Sequence, residues 1–373
     1  MVIGIDASRA FRQQRTGVEE YAYQLLRAMA ETTPDGIEVR LYVQKLRPPT
    51  SDLRLPSSWH WKLLPVPARL WTHTALAWEL FRHPPDVFFQ PAHVLPIEVG
   101  SWKLEVGKTK IVLTIHDVGF ARIPWAYSRF DRWYQHLMTR SAVSCQRSGV
   151  RMIVPSGFTK KELQGFYSVP SDQITVIPHA TVFGSPSTGS GHNKVLPERS
   201  RRHTTDQCGF PYLLSIGRIE KKKNTLGMIQ WFERKCLMTN DKFLMPNGQQ
   251  QAQQNDIRHL KLDLSHFILI GPDGYGASEV YAYLAKRPEL QARVHLLGFV
   301  SEQHKKELLA GAQALLHLSH YEGFGLPIAE AKAVGTPVIL RYEIPDTRYD
   351  SKRTWTDAAF DTWQVLLCSG SGA

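Results

Sequence analysis

Residues 312–340 have the sequence AQALLHLSHYEGFGLPIAEAKAVGTPVIL, and this stretch decides the fold of the second half of the chain. The apolar run at its start predicts a strand, and Pro327 predicts the start of a short helix because proline costs no hydrogen bond there. Gly335 predicts the end of that helix, and TPVIL predicts the next strand. The pattern is that of a βαβ unit whose first loop contains Gly-Phe-Gly.

The glycine loop of this unit predicts an anion site. Glycines let a ligand approach the backbone closely, and the helix that follows presents N–H groups and a partial positive charge at its N-terminus. Glu322 precedes the glycines, and Glu330 lies in the first turns of the helix. Carboxylates accept hydrogen bonds from sugar hydroxyls. A nucleotide-sugar, which combines phosphates, a ribose and a hexose, would use both features.

Length and composition indicate two domains. The chain has 373 residues, of which 43% are hydrophobic, enough for two cores. No apolar run reaches the roughly 18–20 residues that span a bilayer, and the N-terminus lacks the pattern of a signal peptide. The four cysteines show no CxxC spacing, which argues against a metal site or a disulfide framework and favours a cytoplasmic location. They are Cys145, Cys208, Cys236 and Cys368.

The net charge of the chain is +11 and its isoelectric point is near 9.4. The sequence contains no helix-turn-helix, zinc-finger or RNP-like signature, so we expect no nucleic-acid partner. A phosphorylated substrate and peripheral contact with an anionic membrane at the inner membrane face both explain a basic surface. A basic soluble protein without a dedicated partner for these charges is the simpler alternative.

Short apolar runs alternate with helical patterns along the chain, which predicts mostly parallel sheets. Residues 1–180 form the first predicted domain, and 210–373 form the second. Residues 181–209 are rich in Gly, Ser and charge and predict a linker, while 247–256 predict a surface insertion. The expected fold class is therefore α/β, with two Rossmann-like doubly wound domains that face each other across a cleft.

Further candidate residues follow the predicted strands, where ligands bind in open α/β sheets. Arg218 and Lys223 follow the strand PYLLSIG and could bind phosphate, although a run of three lysines is more often a solvated loop. His116 ends the strand IVLTIH and could donate to a sugar hydroxyl, although a lone histidine is more often structural. Gly17 could admit a phosphate or could simply begin a helix.

Two segments rich in tryptophan, SWHWK (58–62) and LWTHTALAW (70–78), have two interpretations. They could form a surface that contacts the acceptor or a membrane. Tryptophan side chains more often pack in a core or between domains, and the sequence does not separate these alternatives.

Together these motifs resemble the retaining glycosyltransferases of family 4, the group 1 type, which have the GT-B fold. The resemblance covers most of residues 1–340, and its quoted stretches are GIDASRA, TGVEEYAYQLL, IVLTIHDVGF, VPSGFTKKEL, ITVIPHA, YLLSIGRIEKKKN, HLLGFV and HYEGFGLPIAEAKAVGTPVI. Its most specific feature is the pair Glu322 and Glu330, which frame GFGLP with seven residues between them.

The resemblance implies a role for each candidate residue. Glu330 would bind the donor ribose, and Glu322 would bind hydroxyls of the transferred sugar. Arg218 and Lys223 would neutralise the diphosphate in place of a divalent metal. The remaining implied contacts come from backbone groups around Phe324, Gly325 and Leu326, from His116 beside the donor sugar, and from Gly17 near the phosphates. The implied donor is a substrate, and no cofactor is expected.

The resemblance also implies the partners, which are a nucleotide-sugar donor and a glycan or lipid-linked acceptor. After residue 340 the family continues with further helices and a final helix that packs on the first domain, and residues 341–373 show no clear counterpart. We therefore expect a truncated or divergent C-terminal end. A catalytically impaired protein that binds nucleotide-sugar without turnover is the alternative. An NAD-dependent enzyme is disfavoured because no G-x-G-x-x-G motif follows the first strand.

Overall fold

The structure, a computed structural model, contains two α/β units. One unit is formed by residues 1–182 without 125–127, together with 344–373, and the other is formed by 183–343 together with 125–127. The residues that the structure describes are 1–12, 14–44, 54–67, 71–92, 95, 109–144, 150–181, 183, 209–237, 265–341, 349–350 and 353–370. The predicted insertion at 247–256 and nearly all of the predicted linker at 181–209 lie outside them.

The first unit is built on a seven-stranded parallel sheet with the order β3-β2-β1-β4-β5-β6-β7. Its strands are β1 (Val2–Asp6), β2 (Glu38–Val43), β3 (Trp59–Leu63), β4 (Val87–Gln90), β5 (Lys110–Thr114), β6 (Arg151–Val154) and β7 (Ile174–Val176). Ile3 of β1 lies opposite both Val39 and Val87. The central strands are buried at almost every position, because both faces of a parallel sheet are covered.

Helices connect these strands. They are α1 (Gly17–Glu31), α2 (Ala77–Arg82), α3 (Gly119–Arg122), α4 (Arg129–Ser144) and α5 (Gly157–Tyr167). A π-helical turn (Thr72–Leu76) directly precedes α2, and short 3₁₀ turns occur at Pro124–Ala126 and Ser171–Gln173. Gly17 is the first residue of α1, as one of its two interpretations predicts, and its contact with a phosphate stays a prediction.

The second unit contains a five-stranded parallel sheet with the order β10-β9-β8-β11-β12. Its strands are β8 (Tyr212–Ile216), β9 (His266–Ile270), β10 (Val294–Gly298), β11 (Ala314–His317) and β12 (Val338–Leu340). Its helices are α6 (Thr225–Leu237), α7 (Ala277–Ala285), α8 (Pro288–Gln291), α9 (Glu302–Gly311) and α10 (Leu326–Val334). The predicted βαβ unit is β11, α10 and β12.

Each sheet has a topological switch point, where the order of the strands reverses. In the first unit β1 and β4 are neighbours there, and in the second unit β8 and β11 are neighbours. In open α/β sheets the loops at the carboxyl ends of these two strands diverge and leave a crevice for ligands. The loop after β8 contains Arg218 and Lys223, and the loop after β11 contains Glu322.

The C-terminal segment differs from the prediction. Residues Trp355–Gly370 form a helix, α11, that packs on α1, β4 and β5 of the first unit. Its buried side includes Trp355, Trp363 and Leu366, which belong to the core of that unit. The prediction of a missing helix is therefore wrong, and so is the assignment of 344–373 to the second domain. The physical reason is that the apolar side of α11 is buried against a part of the chain that is distant in sequence.

The tryptophan-rich segments contain both buried and exposed tryptophans, so each of their two interpretations, core packing and an exposed surface, applies to part of them. Trp59 lies in β3, the edge strand that the sequence did not predict, and it is buried in the core with Trp71. Trp78, in contrast, is 58% exposed on α2. Within the part of the chain that the structure describes, no helix has the length and apolar character needed to cross a bilayer.

The packing of α11 predicts a difference between two of its aromatic residues. Trp363 is 2% exposed and packs edge-on against Trp59, whereas Phe360 is 53% exposed. We expect Trp363→Ala to lower the free energy of unfolding by about 3–5 kcal/mol, because it leaves a cavity in the core. We expect Phe360→Ala to change it by less than about 0.5 kcal/mol. Denaturant unfolding measures both, and equal effects would contradict this packing.

Candidate functional site

The loops after β8 and β11 are joined at the switch point of the second unit. The backbone N–H of His320 donates to the carbonyl of Lys222 at 2.9 Å. The side-chain amide of Asn224 donates to the carbonyl of Leu318 at 3.0 Å. These bonds hold the basic loop against the loop that precedes the glycines, so side chains from both can meet.

The carboxylate of Glu322 is the centre of this contact. It is 8% exposed, and its Oε1 accepts from Lys223 Nζ at 2.5 Å and from Ser319 Oγ at 2.8 Å. His317 Nε2 lies 3.0 Å from the same oxygen, within ion-pair distance. Burial alone would raise the pKa of Glu322, but the charge of Lys223 and the adjacent His317 outweigh it and hold the pKa well below its usual value.

Arg218 and Lys223 belong to the same loop but have different surroundings. The side chain of Lys223 lies along Gly217, where a Cβ would be 3.4 Å from its Cε, and reaches Glu322. The side chain of Arg218 is 52% exposed, and its Nη2 donates to the carbonyl of Asp273 at 3.1 Å. The structure therefore brings Lys223 to Glu322 and leaves the guanidinium of Arg218 accessible to solvent.

The glycine-rich loop GPDGYG after β9 supports the basic loop. A Cβ on Gly271 would lie 2.1 Å from the carbonyl oxygen of Gly217, so only glycine allows the two backbones to approach this closely. The N–H of Ile219 donates to the carbonyl of Pro272, and the N–H of Gly274 donates back to the carbonyl of Ile219. This loop fixes the position from which Arg218 and Lys223 extend.

The segment GFGLP forms the N-terminal end of α10. Gly325 is the N-cap residue with φ +80, a left-handed conformation that favours glycine, and Pro327 is the second residue of the helix. The side chain of Phe324 is buried, which anchors the turn. The first N–H groups of a helix have no intrahelical acceptor, so the backbone at Leu326 provides the positive end of the helix dipole beside Glu322.

Glu330 lies one turn further into α10 and is also buried and paired. It is 5% exposed, and its Oε1 accepts from Lys305 Nζ of α9 at 2.8 Å. Lys305 Nζ also lies 2.8 Å from Glu302 Oε2. Burial acts to lower the pKa of Lys305, but the two carboxylates outweigh it and raise the pKa. Each of the two signature glutamates therefore has its own lysine.

The sequence analysis missed three side chains of this site, His317, Ser319 and Lys305. His317 is the last residue of β11. The ends of other predicted strands supplied candidate residues, so the same position could have identified His317. Ser319 lies in the turn that follows. Lys305 lies 25 positions before Glu330 on another helix, and no local pattern connects the two.

Two of the candidate residues belong to the first unit. His116 Nε2 lies 3.0 Å from the carbonyl oxygen of Pro91, and the imidazole packs edge-on against Tyr21 with ring centres 4.7 Å apart. Burial lowers the pKa of His116, so the ring is neutral at neutral pH and donates from Nε2. Gly17 is the first residue of α1, and a Cβ there would meet no atom within 4 Å.

Two family models match the chain. The model described as Glycosyltransferase Family 4 matches residues 15–181, and the model described as Glycosyl transferases group 1 matches 198–345. The second match includes the joined loops and both signature glutamates. The chain belongs to the family 4 glycosyltransferases of the group 1 type. The resemblance that the sequence motifs suggested is confirmed.

The relatives of this chain include mannosyltransferases. The O-antigen chain mannosyltransferase B of Escherichia coli is 26% identical over 263 residues, which are 70% of this chain and 58% of that protein. The serotype-specific mannosyltransferase WbdA of Escherichia coli is 34% identical over 236 residues, which are 62% of this chain and 26% of that protein. The chain thus spans little more than half of the first relative and about a quarter of the second.

Solved structures share the fold of this chain. WaaG, a glycosyltransferase involved in lipopolysaccharide biosynthesis, is 14% identical with a TM-score of 0.61, over 98% of this chain and 90% of that one. HepE of Anabaena, solved in complex with UDP and glucose, is 15% identical with a TM-score of 0.60, over 99% and 92%. The two parallel-sheet α/β units have the GT-B fold, as the sequence predicted.

The buried pair of Lys223 and Glu322 predicts strong energetic coupling. We expect a double-mutant cycle with Lys223→Met and Glu322→Gln to give a coupling energy of about 1–3 kcal/mol, because either single change leaves a buried partner without its counter-ion. The pair of Lys221, from the same loop as Lys223, and Glu279 of α7 is the matched control. Its side chains are 30% and 51% exposed, so we expect less than about 1 kcal/mol. Denaturant unfolding of each variant measures both, and equal coupling energies would contradict the site geometry.

The depressed pKa of Glu322 predicts a dependence of stability on pH. Its folded-state pKa lies below the usual value of 4.5, so the ionised carboxylate stabilises the fold above that pH. The contribution is lost as the pH falls from 4.5 through the folded-state pKa. We expect Glu322→Gln to reduce the fall in unfolding temperature over this acidic range relative to wild type. Thermal unfolding followed at a series of pH values measures this, and parallel curves would refute it.

Proposed function

We propose that this glycosyltransferase moves a hexosyl group from a nucleotide-diphosphate sugar to a hydroxyl of a glycan or lipid-linked acceptor. The main support is the buried pair of Lys223 and Glu322, which lies at the switch point of the second sheet beside the N-terminal end of α10. This arrangement places a cation and helix N–H groups for phosphates next to a carboxylate for hydroxyls. A nucleotide-sugar has both kinds of group close together.

The residues have separate roles in this proposal. Glu322 accepts hydrogen bonds from the transferred sugar, and Glu330 accepts hydrogen bonds from the ribose. Lys305, which contacts Glu330 at 2.8 Å, orients that carboxylate. We also assign His116, as a neutral imidazole, to the donor sugar and Gly17 to the phosphates.

The chemistry requires the bond between the anomeric carbon and the phosphate oxygen to break while the acceptor oxygen bonds to that carbon, and the proton of the acceptor hydroxyl passes to the departing phosphate oxygen. Negative charge then grows on the departing nucleoside diphosphate, and stabilising this charge lowers the barrier. Lys223, the accessible Arg218 and the N–H groups of α10 supply that stabilisation, which makes a divalent metal unnecessary. We propose retention of the anomeric configuration through attack from the face of the departing group, with no protein nucleophile assigned.

The names of the relatives favour mannose as the transferred sugar, since two Escherichia coli relatives are mannosyltransferases. O-antigen chain mannosyltransferase B suggests a growing polysaccharide as the acceptor. The alternative function, binding without turnover, was based on a missing closing helix. Because α11 is present on the first unit, that reason no longer applies.

The proposal predicts different effects for two lysines of one loop. We expect Lys223→Met to lower turnover of a nucleotide-sugar by about 100-fold or more, since it removes a charge from the leaving group. Lys221 pairs with the exposed Glu279 and does not contact Glu322, so we expect Lys221→Met to remain within about threefold of wild type. Release of nucleoside diphosphate from UDP-, GDP- and ADP-sugars, with a mannan acceptor, measures both.

The same assay on Glu322→Gln tests the carboxylate. We expect at least about a 100-fold loss of turnover, with the variant folded at the assay temperature. Turnover equal to wild type would remove the proposed role of Glu322. Thermal stabilisation by a nucleotide-sugar, with no turnover for any acceptor, would favour the binding alternative.

A further inference from the structure

Helix α4 of the first unit has large apolar side chains on its outer face. Phe130, Trp133 and Leu137 are 68%, 59% and 37% exposed. We call these three residues the α4 stripe. Exposed aromatic residues occur singly on most proteins, but three such residues on one helix form a patch that needs an explanation.

The helical period shows that the α4 stripe is one continuous surface. Its residues have the spacing i, i+3 and i+7, which places them on one face of the helix. The ring of Phe130 lies 6.1 Å from that of Trp133 and stacks on that of Tyr134 at 6.2 Å. Met138 and Ala142, on the opposite side, are each 1% exposed. The helix therefore packs on the unit through the side that carries Met138 and Ala142, and it presents the aromatic side to solvent.

The charges around the α4 stripe are mostly basic. Arg129, Arg132 and Arg140 are exposed on the same helix. Its exposed acid, Asp131, accepts from the hydroxyl of Ser128 at 2.6 Å and so takes part in the local cap. The chain as a whole has a net charge of +11. This combination of an aromatic face with flanking arginines fits an anionic surface that has an apolar layer beneath it.

A second exposed aromatic pair lies on a segment that contacts α4. Trp78 and Phe81 of α2 are 58% and 43% exposed, and their rings are 5.7 Å apart. The π-helical turn before α2 is joined to α4 by a contact of 3.2 Å between His73 Nε2 and the hydroxyl of Tyr134. The aromatic surface is thus not confined to one helix.

We propose that α4 docks the first unit on an anionic lipid bilayer, with the α4 stripe inserted at the headgroup boundary and the arginines on lipid phosphates. Helices that lie in a membrane interface have this composition, and tryptophan prefers that depth. The charge pattern favours a bilayer over a second protein, since interface cores between proteins are depleted of charge. The proposal does not depend on glycosyl transfer, because vesicle binding requires neither donor nor acceptor.

Co-sedimentation with vesicles tests the docking surface. The probe is a vesicle of phosphatidylglycerol and phosphatidylcholine in equal amounts, with pure phosphatidylcholine as the comparison. We expect wild type to bind the anionic vesicle and the triple variant Phe130→Ser, Trp133→Ser, Leu137→Ser to bind at least about tenfold more weakly. The matched control is Phe360→Ser, Leu297→Ser, since these residues are 53% and 44% exposed on other elements.

A second variant tests the charges. We expect replacement of Arg129, Arg132 and Arg140 by Gln to weaken binding to the anionic vesicle and to reduce its dependence on salt. Equal binding by wild type and the serine variant, or equal loss in the control variant, would overturn the proposal. So would a wild type that binds neither vesicle but forms dimers that the serine variant abolishes, because a second copy would then cover the face. All variants change exposed residues, and their thermal unfolding checks that they fold.

Discussion

The burial of one carboxylate, that of Glu322, constrains most of the second unit. A charge that is 8% exposed must be paired, and Lys223 meets it at 2.5 Å from a loop almost 100 residues earlier in the chain. This contact requires that β8 and β11 be neighbours and that both loops leave the same edge of the sheet. The close approach of Gly271 to Gly217 then sets where the basic loop lies. The strand order and the two glycines together place the lysine and the glutamate of this ion pair within contact distance.

The second carboxylate, Glu330, repeats this arrangement with a different cation, Lys305 of α9. The two glutamates are separated by seven residues that include the start of α10, and each pairs with its own lysine. Ionised carboxylates are strong acceptors, and the lysines and helix N–H groups are strong donors. A ligand with both hydroxyls and phosphates meets groups that are already oriented, so little reorganisation accompanies binding.

Local pattern and tertiary contact explain what the sequence could predict. The central strands are continuous apolar runs and GFGLP is a local signal, so their positions follow from neighbouring residues. Lys305 and His317 act on glutamates through contacts that only the folded chain creates, and charge alone does not identify the partner. The place of α11 could not be predicted for the same reason, because its partner is α1, at the other end of the chain.

Aromatic periodicity alone does not decide whether a helix face is buried, as α11 and α4 show. Trp355 and Trp363 lie on one side of α11 and belong to the core, whereas Phe130 and Trp133 lie on one side of α4 and face solvent. The two helices differ in the side that lies opposite these aromatic residues. In α4 that side has small and flexible residues such as Met138, which are already packed against the unit. A helix at the surface buries one side in its own domain, so a second apolar side indicates a contact outside that domain.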